Sequence, residues 1–249
     1  MTPLKDQTER ALDRVGLLPT ARRFKRRFFP NPYYERIDRD DRAIALILDM
    51  ALDADSNCID VGAHVGSVLS DMVRLAPKGR HMAFEPLPHL AQALHEQFPV
   101  VDVHCAALSD HSGEEEFVFV TSNPGQSGLR QRTYARGHEE TERIRVKVET
   151  LDSALPAGYV PTLIKIDVEG AEGEVLRGAR DTIVTHRPVI VFEHGSGGAE
   201  HYGTTSDDLY QLLAVDAGLR IFDMDGVGPY SRSEFSAAFT AQMWNWVAR

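Results

Sequence analysis

Short apolar runs that stop at a glycine, a proline or an acid and then give way to a helical pattern recur along this chain. Asn57–Val61 runs into two glycines and a helix over Ser67–Leu75, and Arg80–Phe84 leads to a helix over Leu90–Gln97. Val100–Ala106 is a third strand. Leu163–Ile166 passes through Val168-Glu169-Gly170 into a helix ending near Gly178. Val189–Phe192, a helix over Ser206–Ala217, a strand at Arg220–Met224 and a closing strand at Trp244–Ala248 follow. Ahead of them, Asp40–Ala54 reads as a helix with an apolar stripe at Ile44, Ile47, Leu48, Ala51 and Leu52. Glu115–Val120 and Arg143–Glu149 alternate in polarity, as antiparallel or edge strands do. The strand–helix alternation predicts a doubly wound α/β sheet. Such a sheet binds ligands outside the carboxyl ends of its strands, so the residues that end strands carry the functional question.

The first strand ends in Asp60-Val61-Gly62-Ala63-His64-Val65-Gly66, a D-x-G-x-x-x-G spacing. Gly62 lets the backbone turn sharply and approach a ligand without a Cβ in the way, and Gly66 lets the following helix pack close. A purely structural turn uses the same pair. A dinucleotide fold places three glycines to cradle pyrophosphate, and a P-loop needs G-K-[ST]; the turn has neither. Phe84-Glu85-Pro86 sets a carboxylate at the end of the second strand, 19 positions after Gly66, where it suits both hydroxyls of a ribose or, alternatively, a helix cap. Asp60, Gly62, Ala63, His64, Gly66, Glu85 and Pro86 make a constellation suited to S-adenosylmethionine, which carries a ribose and an adenine but no phosphate. Ser109 and Asp110, after the third strand, are candidates for the adenine amine, or a plain turn.

The most specific stretch is Leu163-Ile164-Lys165-Ile166-Asp167-Val168-Glu169-Gly170-Ala171-Glu172. Period-two geometry puts Lys165, Asp167 and Glu169 on one side while the segment stays extended. Three charges there are costly to bury unless they pair or bind something. Joined to Ile59-Asp60-Val61-Gly62-Ala63-x-x-Gly66, Phe84-Glu85-Pro86, Ala107-Leu108-Ser109-Asp110, Val148-Glu149-Thr150-Leu151-Asp152-Ser153, Val175-Leu176-x-Gly178-Ala179 and Glu193, it closely resembles the FkbM family of S-adenosylmethionine-dependent methyltransferases, over residues 57–195. The resemblance implies a Rossmann-like class I methyltransferase fold: a seven-stranded, mostly parallel sheet with helices on both faces and a final antiparallel strand. It implies methyl transfer to a hydroxyl of a sugar, glycan or secondary metabolite, with the cofactor on Asp60, Gly62, Gly66 and Glu85. His64 stands where asparagine is common in that motif.

A sulfonium methyl group is already activated, so holding a nucleophile in line with it supplies most of the gain. An alcohol must also lose its proton, to a base or with the help of a metal. Asp167, Glu193, His194 and Lys165 are the catalytic candidates, Asp167 serving the cofactor as well. His194 titrates near neutrality, or simply caps the Gly195–Gly198 loop. Asp167, Glu169 and Glu193 would offer oxygen ligands to magnesium if they cluster, whereas a zinc site lacks its paired Cys or HExxH spacing. Thr121–Thr141 is long and polar, with Arg130, Arg132 and Arg136; it reads as a lid that recognises the acceptor or as a surface insertion. His201-Tyr202 and Met224–Gly228 are further acceptor-side candidates. A nicotinamide-dependent oxidoreductase is the competing enzyme, disfavoured by the missing third glycine; a non-catalytic cofactor-binding module would bind without turnover.

Charge divides the 249 residues unevenly. Residues 1–36 hold nine Lys/Arg against four Asp/Glu, and the rest is acidic enough to bring the total to -10. Residues 1–40 read as a basic helical extension and 41–249 as the methyltransferase domain with an inserted polar loop near 121–142. The segment Ala21–Phe29 is either a solvated helix face or a basic–aromatic arm for an anionic surface or partner subunit. Binding nucleic acid is not expected of so acidic a body. Pro30-Asn31-Pro32 ends any preceding helix, and Asn31-Pro32-Tyr33-Tyr34 reads as a loop. No run approaches the roughly 18–20 apolar residues that span a bilayer, and charges occupy the place of a signal peptide's apolar core. With only Cys58 and Cys105, no disulfide framework is expected. The expectation is a reduced, cytoplasmic enzyme with a small-molecule or glycan acceptor, as monomer or homodimer.

Overall fold

The computed structural model describes residues 32–132, 139–241 and 243–249. Ala21–Phe29 and Arg136 lie outside the described residues. The chain divides into two compact units, 1–43 and 44–249. The division falls inside helix α1 (Pro32–Ala51), which starts at Pro32 rather than Asp40. Proline is well placed there, because the first N–H groups of a helix have no partner to lose. Pro32-Tyr33-Tyr34 is therefore helix and not loop.

The second unit continues with β1 (Cys58–Val61), α2 (Ser67–Leu75), β2 (Met82–Phe84), α3 (Pro88–Gln97), β3 (Asp102–His104), β4 (Ala107–Leu108), β5 (Gly113–Val120), β6 (Thr141–Glu149) and α4 (Leu151–Ala154). It ends with β7 (Leu163–Ile166), α5 (Glu172–Gly178), α6 (Arg180–His186), β8 (Val189–Glu193), α7 (Ser206–Tyr210), β9 (Ile221–Asp223), α8 (Arg232–Ala238) and β10 (Asn245–Ala248). Seven strands form one sheet in the order β3-β2-β1-β7-β8-β10-β9. Strands β3 to β8 in that order pair in parallel, and β10 runs antiparallel to both neighbours. Seven strands, mostly parallel with an antiparallel strand close to one edge, are the sheet that the resemblance implies.

Side chains alternate across the strands, and each face has its own core. Ile59, Val61, Ile164, Ile166, Ile190 and Phe192 pack under helices α5 to α8. Cys58, Ala83 and Leu163 pack against Leu48, Leu69, Met72 and Leu94 of α1 to α3. The strand order reverses at β1, between β2 and β7, so the crevice at a topological switch point lies above these three strands.

Three local features depart from the sequence reading. Strands β5 and β6 are not edges of the main sheet; with β4 they form a separate three-stranded sheet in the order β4-β6-β5. The sequence pattern does not predict helix α6, because Thr182-Ile183-Val184-Thr185 is β-branched and favours strand. Asp152 supplies what the local sequence lacks: its carboxylate accepts hydrogen bonds from Asp181 N (3.0 Å), Thr182 N (2.9 Å) and Thr182 Oγ1 (2.6 Å). Helix α8 was also missed; Ser231 and Glu234 start it with a reciprocal capping box. No helix among the described residues is long and apolar enough to cross a membrane.

Candidate active site

The turn after β1 is built on positive φ angles, +76° at Gly62, +49° at His64 and +78° at Gly66. A Cβ on Gly62 would lie 1.9 Å from the carbonyl oxygen of Asp167, so β7 itself demands glycine there. A Cβ on Gly66 would strike Leu94 and Phe98, so the helix that Gly66 accommodates is α3 and not the one that follows it. Gly62 N and Ala63 N both donate to Phe84 O, which ties the turn to the end of β2.

Glu85 is 4% exposed, and two backbone amides hold its carboxylate. Oε2 accepts from His64 N and Oε1 from Leu87 N, each at 2.9 Å. Each oxygen keeps a further lone pair. Burial lifts the pKa of Glu85 above the usual carboxylate range, against the pull of the two amides. His64, Glu85, Pro86 and Leu87 line a cleft that also takes in Val61, Gly62 and Ala106–Leu108. Asp167, Val168 and Glu169 form its opposite wall, and Pro124, Gly125, Ser127 and Leu129 its outer wall. The cleft holds ≈ 810 Å³ of empty space, its open mouth included.

Register explains the charged strand. Asp60 of β1 lies opposite Lys165 of β7. Lys165 Nζ sits 3.4 Å from Asp60 Oδ1 and 3.5 Å from Asp167 Oδ2, and donates to Gly62 O at 3.2 Å. Burial alone would lower the pKa of Lys165, but the two carboxylates outweigh it and hold the ammonium above its usual value. Lys165 is thus a fixed cation that braces the turn and Asp167, and not a proton acceptor. Asp60, 1% exposed, is raised by burial and stabilised by Lys165; it lies beneath the cleft and does not line it.

Extended geometry ends at Asp167. Glu169 has φ +61°, and Gly170 passes within van der Waals contact of the Gly198 backbone, where a Cβ would lie 2.6 Å from Gly198 C. The turn sends Glu169 to an ion pair with Arg132. Glu172 takes its place beside the other acids: ligand oxygens of Asp167, Glu172 and Glu193 lie within 4.8 Å of one another. Glu172, 2% exposed, accepts from Val168 N (2.9 Å) and Gly170 N (3.2 Å) through Oε1. Burial raises Glu172 to about 7, and burial together with Asp167 and its neighbours raises Glu193 well above the usual range. Asp167, with a half-exposed side chain, is the member that faces the cleft. The oxygen-ligand set open to a divalent cation is therefore Asp167, Glu172 and Glu193, not the expected set with Glu169.

Four expected site residues lie elsewhere. The ring of His194, 2% exposed, stacks on Phe235 and packs tilted against Phe239, with Nε2 2.9 Å from Ser206 Oγ. Burial lowers its pKa to about 4, so it is a packed core histidine and not the base. Ser109 Oγ donates to Glu174 Oε2 (2.9 Å), and Asp110 accepts from Arg177 Nε (2.9 Å); both serve α5 and neither lines the cleft, whose wall at that point is Ala106–Leu108. Ala63 is buried in the core beneath α1 to α3. The Met224–Gly228 turn closes on Asp223 and also lies away from the cleft. Sequence reasoning passed over Glu172, for which its short spacing from Asp167 was the available hint; the outer-wall residues fall in the Thr121–Thr141 segment read as a lid or as a surface insertion.

A model of the methyltransferase FkbM domain matches residues 60–221, more than half of the chain. The chain is 29% identical over 150 residues to methyltransferase 1 of Beauveria bassiana, an alignment covering 51% of this chain and 59% of that protein. It is 29% identical over 154 residues to methyltransferase sdnD of Sordaria araneosa, covering 48% and 59%. The aligned region therefore spans well under two thirds of these relatives' own length. Among solved structures, methyltransferase FkbM from Methylobacillus flagellatus KT is similar in fold, with a TM-score of 0.50 at 17% identity, over 80% of this chain and 44% of that one.

Proposed function

This chain belongs to the methyltransferase FkbM family, and from that premise we propose that it uses S-adenosylmethionine to methylate a hydroxyl of a small-molecule or glycan acceptor. One juxtaposition carries the reading. A single cleft has Glu85 on one wall and, on the other, Asp167, the exposed member of a cluster of three carboxylates. The residues suit the cofactor. Glu85 is pinned by two amides with lone pairs to spare for ribose hydroxyls, and the turn at Gly62 offers no cradle for pyrophosphate. When bound, S-adenosylmethionine supplies a methyl group activated by its sulfonium.

The chain's own residues do the rest. Glu85 and the walls at Leu87 and Ala106–Leu108 orient the nucleoside end. Asp167, held by Lys165, marks where the acceptor hydroxyl meets the donor end. Glu193, whose carboxylate oxygen lies within 4.8 Å of that of Asp167, takes the hydroxyl proton. A second reading adds a divalent cation on Asp167, Glu172 and Glu193, favoured by their 4.8 Å clustering; turnover unchanged by chelator removes it.

Calorimetry with S-adenosylhomocysteine and with NAD tests the cofactor, and transfer of a labelled methyl group to paired hydroxyl and amino acceptors tests the reaction. Glu193→Gln is expected to keep S-adenosylhomocysteine affinity and to lose about 10²–10⁴-fold in kcat. Binding of NAD in preference to S-adenosylhomocysteine, or labelling of amines alone, defeats the proposal.

A further inference from the structure

The connection that follows β5 lines the cleft along Pro124–Leu129. Its near part is anchored to β5: Val118 and Gly128 exchange both backbone hydrogen bonds, and Val120 N donates to Ser127 Oγ at 3.0 Å. Pro124 to Leu129 then form the outer wall of the cleft. Beyond Leu129 the strap reaches elements that follow β7 and β8. Arg130 N donates to Tyr202 Oη (2.9 Å), its Nη1 to His201 O (3.1 Å), and its guanidinium lies 5.1 Å from the centre of the Tyr202 ring. Its Nη2 also reaches Glu174 Oε1 at 3.4 Å. Two residues on, Arg132 pairs with Glu169, on the cleft wall beside Asp167.

These contacts are more than surface pairing. Tyr202 is 7% exposed, and Glu174 is 7% exposed with its other oxygen occupied by Ser109. Arg132 Nε is buried without a hydrogen-bond partner among the described residues, a cost that a merely solvated loop does not carry. A Cβ on Gly128 would come within 3.2 Å of Tyr202 Oη, so glycine keeps the strap close to its fastening. One segment thus walls the nucleoside end and is fastened at the methyl-transfer end.

We propose that Arg130, seated on Tyr202, and Arg132, paired with Glu169, are positioning residues that clasp this strap over the bound cofactor and so govern its release. The proposal rests on the S-adenosylmethionine reading of the same cleft. Opening the clasp frees the outer wall without touching Glu85 or the acid cluster, so the cofactor's contacts to those groups stay and its escape quickens.

The test is the dissociation rate of S-adenosylhomocysteine, measured by displacement with labelled S-adenosylmethionine, in Tyr202→Phe, Arg130→Lys and Arg132→Gln. Tyr202→Phe keeps the ring and removes only the acceptor oxygen. It is expected to raise the rate about 3- to 10-fold, the worth of one hydrogen bond. Arg130→Lys keeps the charge but not the fork, and is expected to rescue the rate only partly relative to Arg130→Ala. Melting temperatures without ligand are expected to stay within a degree or two of the parent. Trypsin cleavage after Arg132 in Tyr202→Phe is expected to be faster than in the parent, with S-adenosylhomocysteine bound to both. Unchanged dissociation rates in all three variants, in a parent that binds S-adenosylhomocysteine, overturn the clasp alone. A parent that does not bind it overturns the cofactor reading and the clasp together. Melting temperatures that fall in step with the rates overturn it too, by showing a general loss of fold.

Discussion

Lys165 shows how one side chain organises this site. It is buried, faces Asp60 across the β1–β7 pair, and binds both the Gly62 carbonyl and Asp167. Removing one partner of a buried ion pair leaves the other charge stranded, which costs about 3–5 kcal/mol. Lys165→Met is therefore expected to lower stability by that order in urea denaturation, and Lys165→Met/Asp60→Asn to recover part of it. Equal losses in the single and double variants would show that the pairing is not what the lysine contributes. The sequence displayed these charges plainly but not their division of labour. Asp60 and Lys165 brace the site from below, while Asp167 faces the cleft, and only the parallel register between β1 and β7 makes that separation. His194 is the opposite case. Its chemistry suits a base, and its position at the end of β8 was legible, yet its ring turns into the Phe235–Phe239 packing.

At the level of elements, the Thr150-Leu151-Asp152 stretch earns its place through folding. Thr150 caps α4, Leu151 is fully buried, and Asp152 caps α6 from 29 residues away. Losing such a cap costs roughly 1–2 kcal/mol. Asp152→Ala is expected to lower the melting temperature while S-adenosylhomocysteine affinity stays within twofold; a selective loss of affinity with unchanged melting would assign the residue to the site instead. Strand and helix positions were legible where hydrophobic periodicity was strong, as at Ser67–Leu75 and Leu163–Ile166, which match the observed α2 and β7. Helix α6 was not, because its start depends on a carboxylate distant in sequence. The small sheet was not, because alternation in β5 and β6 shows that one face is wetter than the other and not which sheet the strands join.

For the whole molecule, buried histidines and buried carboxyls pull the pH dependence in opposite directions: Glu85, Glu172 and Glu193, raised by burial, favour the folded state as pH falls, and the histidines disfavour it. Burial lowers His194 to about 4, and lowers His81 despite its hydrogen bond to Ala76 O. In the unfolded chain both take up protons near pH 6.5. At these two histidines the folded state thus binds fewer protons between these values, so this stability is present above about pH 6.5 and is lost as pH falls toward 4. Relative to the parent, His194→Gln is expected to lose less melting temperature, or to gain more, as pH falls from 6.5 to 4.5; identical slopes would contradict the assignment. The sequence by itself determined the parallel sheet, the glycine turn at its switch point and the acids that end its strands, because these follow from local periodicity and from backbone angles few residues tolerate. Tertiary structure alone decided which acids meet. A left-handed turn at Glu169 and the approach of β8 to β7 bring Glu172 and Glu193 beside Asp167, and a strap from another sheet supplies the partner for Glu169. Proximity between residues distant in the chain is set by packing and register, and no single segment of sequence carries that information.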